Sequence, residues 1–352
     1  FTNVAYPLTP EQAAPPQLNL TPPYGTIVAF DPNLKLPRTF QSNIALEKSL
    51  GSNETVSVAY VAALGRNLLR EDVLLNPNPD FTIVRVTRNA AESSYHAMQV
   101  QYGRRLSRGL QALVSYTWSH SIDNASSDSL SRLRITTTGA GTSAPDTTRG
   151  PSDFDVRHSL TAAATYNIPK TRLRSSIISA TLRNWFVDAI FRARTATPVN
   201  VIVRSDVIGE DLILELQRPD LIGGVPVYIN DRSAPGGRRI NRAAFIAPTE
   251  IRQGTLGYNA LRGFPLSQLD LALHRQFSLG ERMKLQFRTE VFNLFNHPNF
   301  GNPNNILSSS RFGESTQMFG RSLGTGGING GLSPIYQVGG PRSVQLALKL
   351  QF

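Results

Sequence analysis

The chain has 352 residues, a net charge of +11, a pI near 10.2 and no cysteine. Its length suits one large domain or two smaller ones, and the lack of cysteine excludes disulfide bridges and thiolate metal sites. The positive charge would suit nucleic acid, but the arginines are scattered and no nucleic-acid-binding module is recognisable, so we expect no such partner. Because the chain begins at Phe1 without a signal peptide, we expect a processed product or a fragment.

The amino-terminal stretch, residues 1–37, is rich in proline. Proline donates no backbone hydrogen bond and is excluded from helix interiors and central strands. We therefore predict an outer loop or linker over 1–37, with one short strand at 26–30. We assign residues 38–352 to a single β domain.

Nine segments of this domain alternate apolar and polar residues with a period of two, which is typical of strands with one apolar face. They lie at 38–50, 55–64, 94–104, 110–121, 158–167, 184–194, 267–277, 282–291 and 342–352. The last segment is the clearest, and its length matches the ~9–11 residues that a tilted strand needs to cross a bilayer.

The connections between these strands alternate in length. Short turns are predicted at 51–54, 105–109, 168–183 and 278–281, and long connections at 65–93, 122–157, 195–266 and 292–341. Outer-membrane barrels have short periplasmic turns and long outer loops, whereas a soluble β-sandwich has no reason for this pattern. We therefore predict an all-β fold in the cell outer membrane, an antiparallel up-and-down transmembrane β-barrel segment of about nine or ten strands with short periplasmic turns and long extracellular loops. An open strand edge cannot face lipid, so we expect either a tenth strand or a place within a larger barrel.

Two sets of residues are predicted to mark the two faces of the sheet. The polar faces of the last three strands form a mixed-charge wall that we expect to face a lumen, where salt bridges are the commoner role and contact with a plug or pathway the alternative. These candidates are Asp270, His274, Lys284, Gln286, Arg288, Glu290 and Lys349. Aromatic residues near strand ends are expected at the membrane interfaces, namely Tyr116, Trp118, Tyr166 and Trp185. We predict no catalytic residue, metal site or cofactor, because the five histidines lie far apart in the sequence.

Several motifs are specific in combination, although each is weak alone. They lie at 60–68 (YVAALGRNL), 115–119 (SYTWS), 241–245 (NRAAF), 262–270 and 285–301 (LQFRTEVFNLFNHPNFG). With these motifs, the chain from about residue 37 to residue 352 resembles the carboxyl-terminal part of the barrel of Oar-like TonB-dependent receptors.

The resemblance implies an outer-membrane barrel of about 22 strands that is closed by an internal plug. It further implies that the TonB–ExbB–ExbD complex pulls the plug's amino-terminal segment to admit a substrate. The plug and the TonB-contacting segment would lie upstream of this sequence, which would supply channel wall and extracellular loops that face an unknown ligand. Energy-coupled transport is therefore not assigned to this chain by itself.

The carboxyl terminus resembles the signal that the barrel-assembly machinery reads in outer-membrane proteins. The candidate residues are Phe352, Leu350 and Leu348, and the alternative is a mere edge strand. Two other functions stay open. The first is a passive structural or adhesive surface barrel whose loops carry the function. The second is a secreted, soluble all-β binding domain, in which the strand leucines would converge between two packed sheets.

Overall fold

The computed structural model describes residues 21–126, 149–168, 184–204, 216–249, 253–280, 283–322 and 338–352. The strands in chain order are β1 (Tyr24–Phe30), β2 (Arg38–Ser49), β3 (Glu54–Asn78), β4 (Phe81–Ser107), β5 (Leu110–Asp123), β6 (Gly150–Pro151), β7 (His158–Asn167), β8 (Trp185–Arg194), β9 (Pro198–Val199), β10 (Val203–Arg204), β11 (Leu216–Gln217), β12 (Asp220–Leu221), β13 (Tyr228–Asn230), β14 (Arg238–Ile240), β15 (Phe245–Ile246), β16 (Leu261–Arg262), β17 (Leu266–Ser278), β18 (Lys284–Phe292) and β19 (Ser343–Gln351). Helical turns are short and lie at Pro235–Gly237, Arg242–Ala244 and Phe319–Ser322. In this part of the chain, no helix has the length and apolar character needed to cross a membrane.

The long strands form a single antiparallel meander in chain order. The path runs β2–β3–β4–β5–β7–β8–β17–β18–β19, and two further strands join it at the side, β1 on β4 and β6 on β5. The nine strands of the path coincide with the nine predicted segments, and the predicted pairing of the last three strands is confirmed. Because each strand pairs with its neighbour along the path, a Greek-key order is excluded.

The two ends of the sheet differ. The connections from β2 to β3, from β4 to β5 and from β17 to β18 are short and lie at one end, which we call the turn end. The connections from β5 to β7, from β8 to β17 and from β18 to β19 lie at the opposite end, the loop end. The predicted turn at 168–183 falls almost entirely outside the described residues.

One predicted connection is wrong. Residues 65–93 are not a loop, because β3 and β4 continue through them as a paired ribbon up to a turn at Pro79 and Asp80. Charged pairs hold the ribbon together: Asp72, which is fully buried, lies between Arg70 at 3.0 Å and Arg88 at 2.6 Å. The short strand expected at 26–30 is confirmed as β1, which adds to the ribbon in parallel with β4. The ribbon extends the sheet beyond the loop end.

The register sorts the side chains into an apolar face and a polar face. The apolar face carries the leucines of the last three strands: Leu285 of β18 lies opposite Phe277 on one side and Leu350 on the other. Its other members are Leu269, Leu271, Leu273, Phe287, Leu346 and Leu348. On β19 these leucines are 51–69% exposed. The apolar face is therefore open to its surroundings, and the sandwich alternative is wrong.

A compact apolar core lies at the loop end, not between sheets. Its members come from the two longest connections and are Val199, Val201, Ile240, Ala244, Phe245, Leu256, Leu261, Leu307 and Phe312. The rings of Phe245 and Phe312 meet edge to face at 5.8 Å between centroids. Short strand pairs, such as β9 with β16 and β13 with β14, surround this core. We call this region, the described residues of 195–265 and 293–322, the loop layer.

The open apolar face generates a stability prediction. Leu271→Arg, in the middle of β17, should lower the free energy of unfolding in a bilayer by about 2–4 kcal/mol, because a cation at mid-depth on a lipid-contacting face is poorly solvated. The matched control Gln276→Arg, on the polar face of the same strand, should change it by much less. Denaturant titration in lipid vesicles measures both, and equal losses would contradict the assignment of faces.

Candidate functional site

The seven predicted wall residues all lie on the polar face. In the register, Arg288 is opposite His274, Glu290 is opposite Ala272, and Gln286 is opposite Lys349. Residues two apart on a strand point the same way. Asp270 therefore shares the face of Ala272, and Lys284 shares the face of Gln286. Strands β17, β18 and β19 thus bring the seven residues together on one surface.

A carboxylate that the sequence analysis missed lies beside the wall, on the neighbouring strand β8. Asp188 of β8 accepts a hydrogen bond from Thr165 Oγ1 at 2.8 Å. Its second oxygen lies 3.2 Å from His274 Nδ1, without hydrogen-bond alignment, and 4.0 Å from an Arg288 nitrogen. Arg288 also pairs with Glu290 at 2.8 Å. Four strands are therefore connected by one polar chain from Thr165 to Glu290.

A second cluster joins the wall to the loop end. Asp270 accepts hydrogen bonds from Arg192 at 2.7 Å, from Gln268 at 2.7 Å and from the backbone N–H of Asn293 at 2.9 Å. Gln268 is almost fully buried and accepts a hydrogen bond from the backbone N–H of Gly339 at 2.6 Å. Most charges of the wall thus have opposite charges or hydrogen-bond donors within the sheet, which favours the salt-bridge role over ligand contact for them.

The polar face has a different chemistry on β3, β4 and β5. There it carries a shallow depression of about 290 Å³ whose side chains are uncharged. The polar-face residues that line it are Ser57, Ala59, Gln99, Gln101, Ser115 and Thr117. We call this surface the neutral sector. Both glutamines belong to the polar side of the alternating segment 94–104.

A buried carboxylate links the long connections at the loop end. Asp155, between β6 and β7, accepts hydrogen bonds from Arg262 Nη2 at 2.6 Å and from the backbone N–H of Ser121 at 2.8 Å, with His120 Nδ1 at 3.1 Å. Its neighbour Asp153 accepts from Tyr258 Oη and from Asn259 Nδ2, both at 2.7 Å. Sequence separations of more than one hundred residues are bridged in this way. We call Asp153, Asp155, Tyr258, Asn259 and Arg262 the loop latch.

The environment of Asp155 stabilises its ionised form. Burial raises the pKa of the carboxyl, but the hydrogen bonds from Ser121, Arg262 and His120, together with the positive charge of Arg262, outweigh it. The net result is a pKa below the ordinary value of 3.8. The latch is therefore charged and closed at neutral pH.

The four predicted interfacial aromatics lie on the apolar face at two depths. Trp118 is opposite Met98 and His158 towards the loop end, and Tyr116 Oη lies 2.8 Å from His158 Nδ1. Tyr166 and Trp185 lie at the turn end, where the Arg275 guanidinium packs over the Trp185 ring at 5.5 Å. An amphipathic ring next to a cation is typical of a membrane interface. Their interfacial role stays a prediction.

Two of the five histidines meet in the sheet. Although they are far apart in the sequence, His96 and His120 lie directly opposite each other on β4 and β5. Each has a different partner, since Tyr60 Oη is 2.7 Å from His96 Nδ1 and Asp155 is next to His120. Within the described ranges, no group of three or more histidine, aspartate or glutamate side chains could hold a metal ion.

The predicted assembly-signal residues are accessible at the turn end. Leu348 and Leu350 are exposed on the apolar face of β19, and Phe352 follows the last residue of the strand with 96% of its surface exposed. β19 has a single neighbour, β18, among the described strands. Its outer edge is therefore available for pairing.

Comparison with known proteins identifies the family. The family model for the outer membrane beta barrel domain matches residues 1–324. The chain belongs to this family. The family places the protein in the outer membrane, with the apolar face of the sheet towards lipid. No curated protein matches the chain.

Solved structures give distant similarities. They include the outer membrane transporter YddB from Escherichia coli, with 9% identity and a TM-score of 0.47, and the ferric-catecholate import receptor Fiu from E. coli K12, with 12% identity and a TM-score of 0.42. The FrpB iron transporter from Neisseria meningitidis has 14% identity and a TM-score of 0.41. The alignments cover 91%, 91% and 92% of this chain but 33%, 28% and 33% of those chains. The chain thus spans about a third of their length.

The loop latch generates a prediction with a pH dependence. Because the pKa of folded Asp155 is depressed, the latch contributes stability above the ordinary carboxyl pKa, and this contribution is lost as the pH falls through the folded pKa. Asp155→Asn should destabilise the latch at neutral pH by about 2–3 kcal/mol, less than a fully buried ion pair because Arg262 is partly exposed. Hydrogen exchange of the backbone amides of residues 150–157, corrected for intrinsic rates, measures both the loss of stability at low pH and the effect of the substitution.

The control for this measurement is Asp231→Asn, since Asp231 is a partly exposed carboxylate that pairs with Arg239 in the loop layer. It should leave exchange of residues 150–157 unchanged. Loss of protection that is already complete between pH 5 and 7 in the unaltered protein would contradict a depressed pKa for Asp155.

Proposed function

We propose that this chain forms part of the barrel wall and the extracellular ligand-facing loops of an Oar-like TonB-dependent receptor. One observation carries the proposal: the same sheet has a lipid-facing apolar surface and a continuous polar surface that leads directly into a folded loop layer. A passive barrel shares both surfaces but does not require the polar one to lead into a folded loop layer. A wall that is polar from the loops to the turn end suits the passage of a hydrated solute.

The unpaired edges of the sheet support a larger barrel. In lipid, the exposed N–H and C=O groups of β2 and β19 would each cost several kcal/mol. We therefore propose that residues 38–352 pair along both edges with further strands of a parent barrel, as its carboxyl-terminal part, and that residues 1–37 form an outer connection. A plug and the TonB complex would then act through other segments of that protein.

Within this barrel we assign the seven wall residues to the lumen. The paired charges around Asp188 and Asp270 would hold β8, β17 and β18 in register, and Lys284, Gln286 and Lys349 would contact water or the plug near the turn end. The passive or adhesive surface barrel is the competing function. It shares the fold but requires no energy-dependent change at the polar face.

Energy dependence separates the two functions. This chain has no cysteine. In the full-length protein, with any cysteine outside this chain replaced, Gln286→Cys should react with a water-soluble maleimide in the outer membrane to an extent that depends on TonB. Dissipating the proton gradient should remove the difference in labelling between cells with and without TonB. The adjacent control Leu285→Cys, on the apolar face, should react little in either state. Labelling of Gln286→Cys that is identical with and without TonB would favour the passive barrel.

The carboxyl terminus provides a separate test of biogenesis. We propose that the exposed edge of β19 is captured by the barrel-assembly machinery through strand addition, with Phe352, Leu350 and Leu348 as the recognised residues. Deleting Phe352 in the full-length protein should lower its outer-membrane level and raise the periplasmic aggregate. Deleting Phe352 while placing phenylalanine at the new terminus (Gln351→Phe) shifts the aromatic residue to the polar face and should not restore assembly. An unchanged heat-modifiable barrel band after the deletion would refute the assembly signal and leave the fold intact.

A further inference from the structure

We infer that the neutral sector binds the transported solute through an uncharged, hydroxyl-rich segment, and that this solute is an oligosaccharide. The inference deepens the proposed function and rests on it, because the solute must reach the polar face. The argument depends on the contrast between the two halves of this face.

In the first half, on β7, β8, β17 and β18, the polar side chains form hydrogen bonds and ion pairs with one another. Asp188, Asp270 and Arg288 each contact two or more polar side chains on this face of the sheet. A passing solute would have to displace these ion pairs, and leaving one partner of a charged pair unmatched is costly. This half is therefore poorly suited to ligand contact.

The neutral sector is the opposite case. Gln99 and Gln101 are exposed, and among the described residues neither they nor Ser57, Ser115 and Thr117 make a side-chain hydrogen bond. Glutamine amides and hydroxyl groups each offer both donors and acceptors. The sector thus presents a cluster of uncommitted groups of both kinds within a depression of about 290 Å³.

The charge of the sector selects among ligands. None of the residues that line the depression is charged, so an anionic or cationic ligand would lose hydration there without gaining an opposite charge. The nearest charged side chain in the register is Glu47 of β2, opposite Ser57, and its carboxylate would repel anions. A ligand whose hydroxyl groups both donate and accept matches the amides and hydroxyls without this penalty.

The test measures binding to the purified protein in the absence of TonB. The full-length protein in detergent micelles is titrated calorimetrically with neutral hexasaccharides (malto-, cello-, laminari- and xylohexaose) and with acidic hexagalacturonate. At least one neutral sugar should bind and the acidic sugar should not. Gln99→Ala with Gln101→Ala should weaken that binding by about tenfold, since two amide side chains lose their hydrogen bonds. Gln99→Glu should weaken it while preserving side-chain size.

The matched control is Gln111→Ala, which removes an exposed glutamine from the polar face of β5 outside the depression and should leave the affinity unchanged. Binding of no neutral sugar to the unaltered protein, or equal losses in the control and the double variant, would overturn the inference. The double variant could instead leave sugar binding unchanged and alter only the protection of the plug against protease. The neutral sector would then be a contact surface for the plug, and the inference would be overturned. TonB-dependent labelling of Gln286→Cys decides the proposed function independently of all these outcomes.

Discussion

Backbone hydrogen bonding between strands is the interaction on which the rest of this structure depends. In hydrocarbon, each N–H and C=O group needs a partner within the sheet, because water is absent. From β3 to β18, every long strand is hydrogen-bonded to a neighbour on both sides. The meander order makes consecutive strands neighbours, so the connections at the turn end can be short. The exceptions are the outer edges of β2 and β19. The same rule that explains the sheet requires partners for these two edges in a bilayer, which the proposed larger barrel would supply.

The fixed register has an electrostatic consequence. Alternation places the leucines of β17 to β19 on one face and confines the charged side chains of their central regions to the other, so ion pairs form between strands and not towards lipid. Arg275 is a charged residue on the apolar face, but it lies at the turn end, where it packs over Trp185 and Phe277. There a long cationic side chain reaches water while its stem stays on the apolar surface. Net positive charge thus coexists with a lipid-facing surface.

The positions and pairing of the strands could be predicted because a period of two is a local signal, clearest in residues 343–351. The ribbon was missed because its stability comes from cross-strand ion pairs such as Asp72 with Arg88, which leave no apolar alternation to detect. Asp188 was missed because it is the one polar residue within the apolar run from Trp185 to Phe191. Asp155 and Arg262 lie 107 residues apart, and no local pattern joins them, although Arg262 opens one of the motifs that carried the family resemblance.

The loop layer and the sheet form one mechanical unit at their junction. Asn299, which is fully buried, accepts a hydrogen bond from the backbone N–H of Ser267 at 2.9 Å, and Gln268 binds Gly339 on the other side of the same strand end. Together with the loop latch, these contacts attach the long connections to β5 and β17 and give them an apolar core of their own. A ligand at the loop end would meet a surface whose shape is already formed, which lowers the conformational entropy lost on binding. In the proposed receptor, the loops and the wall below them would therefore act on the same solute in succession.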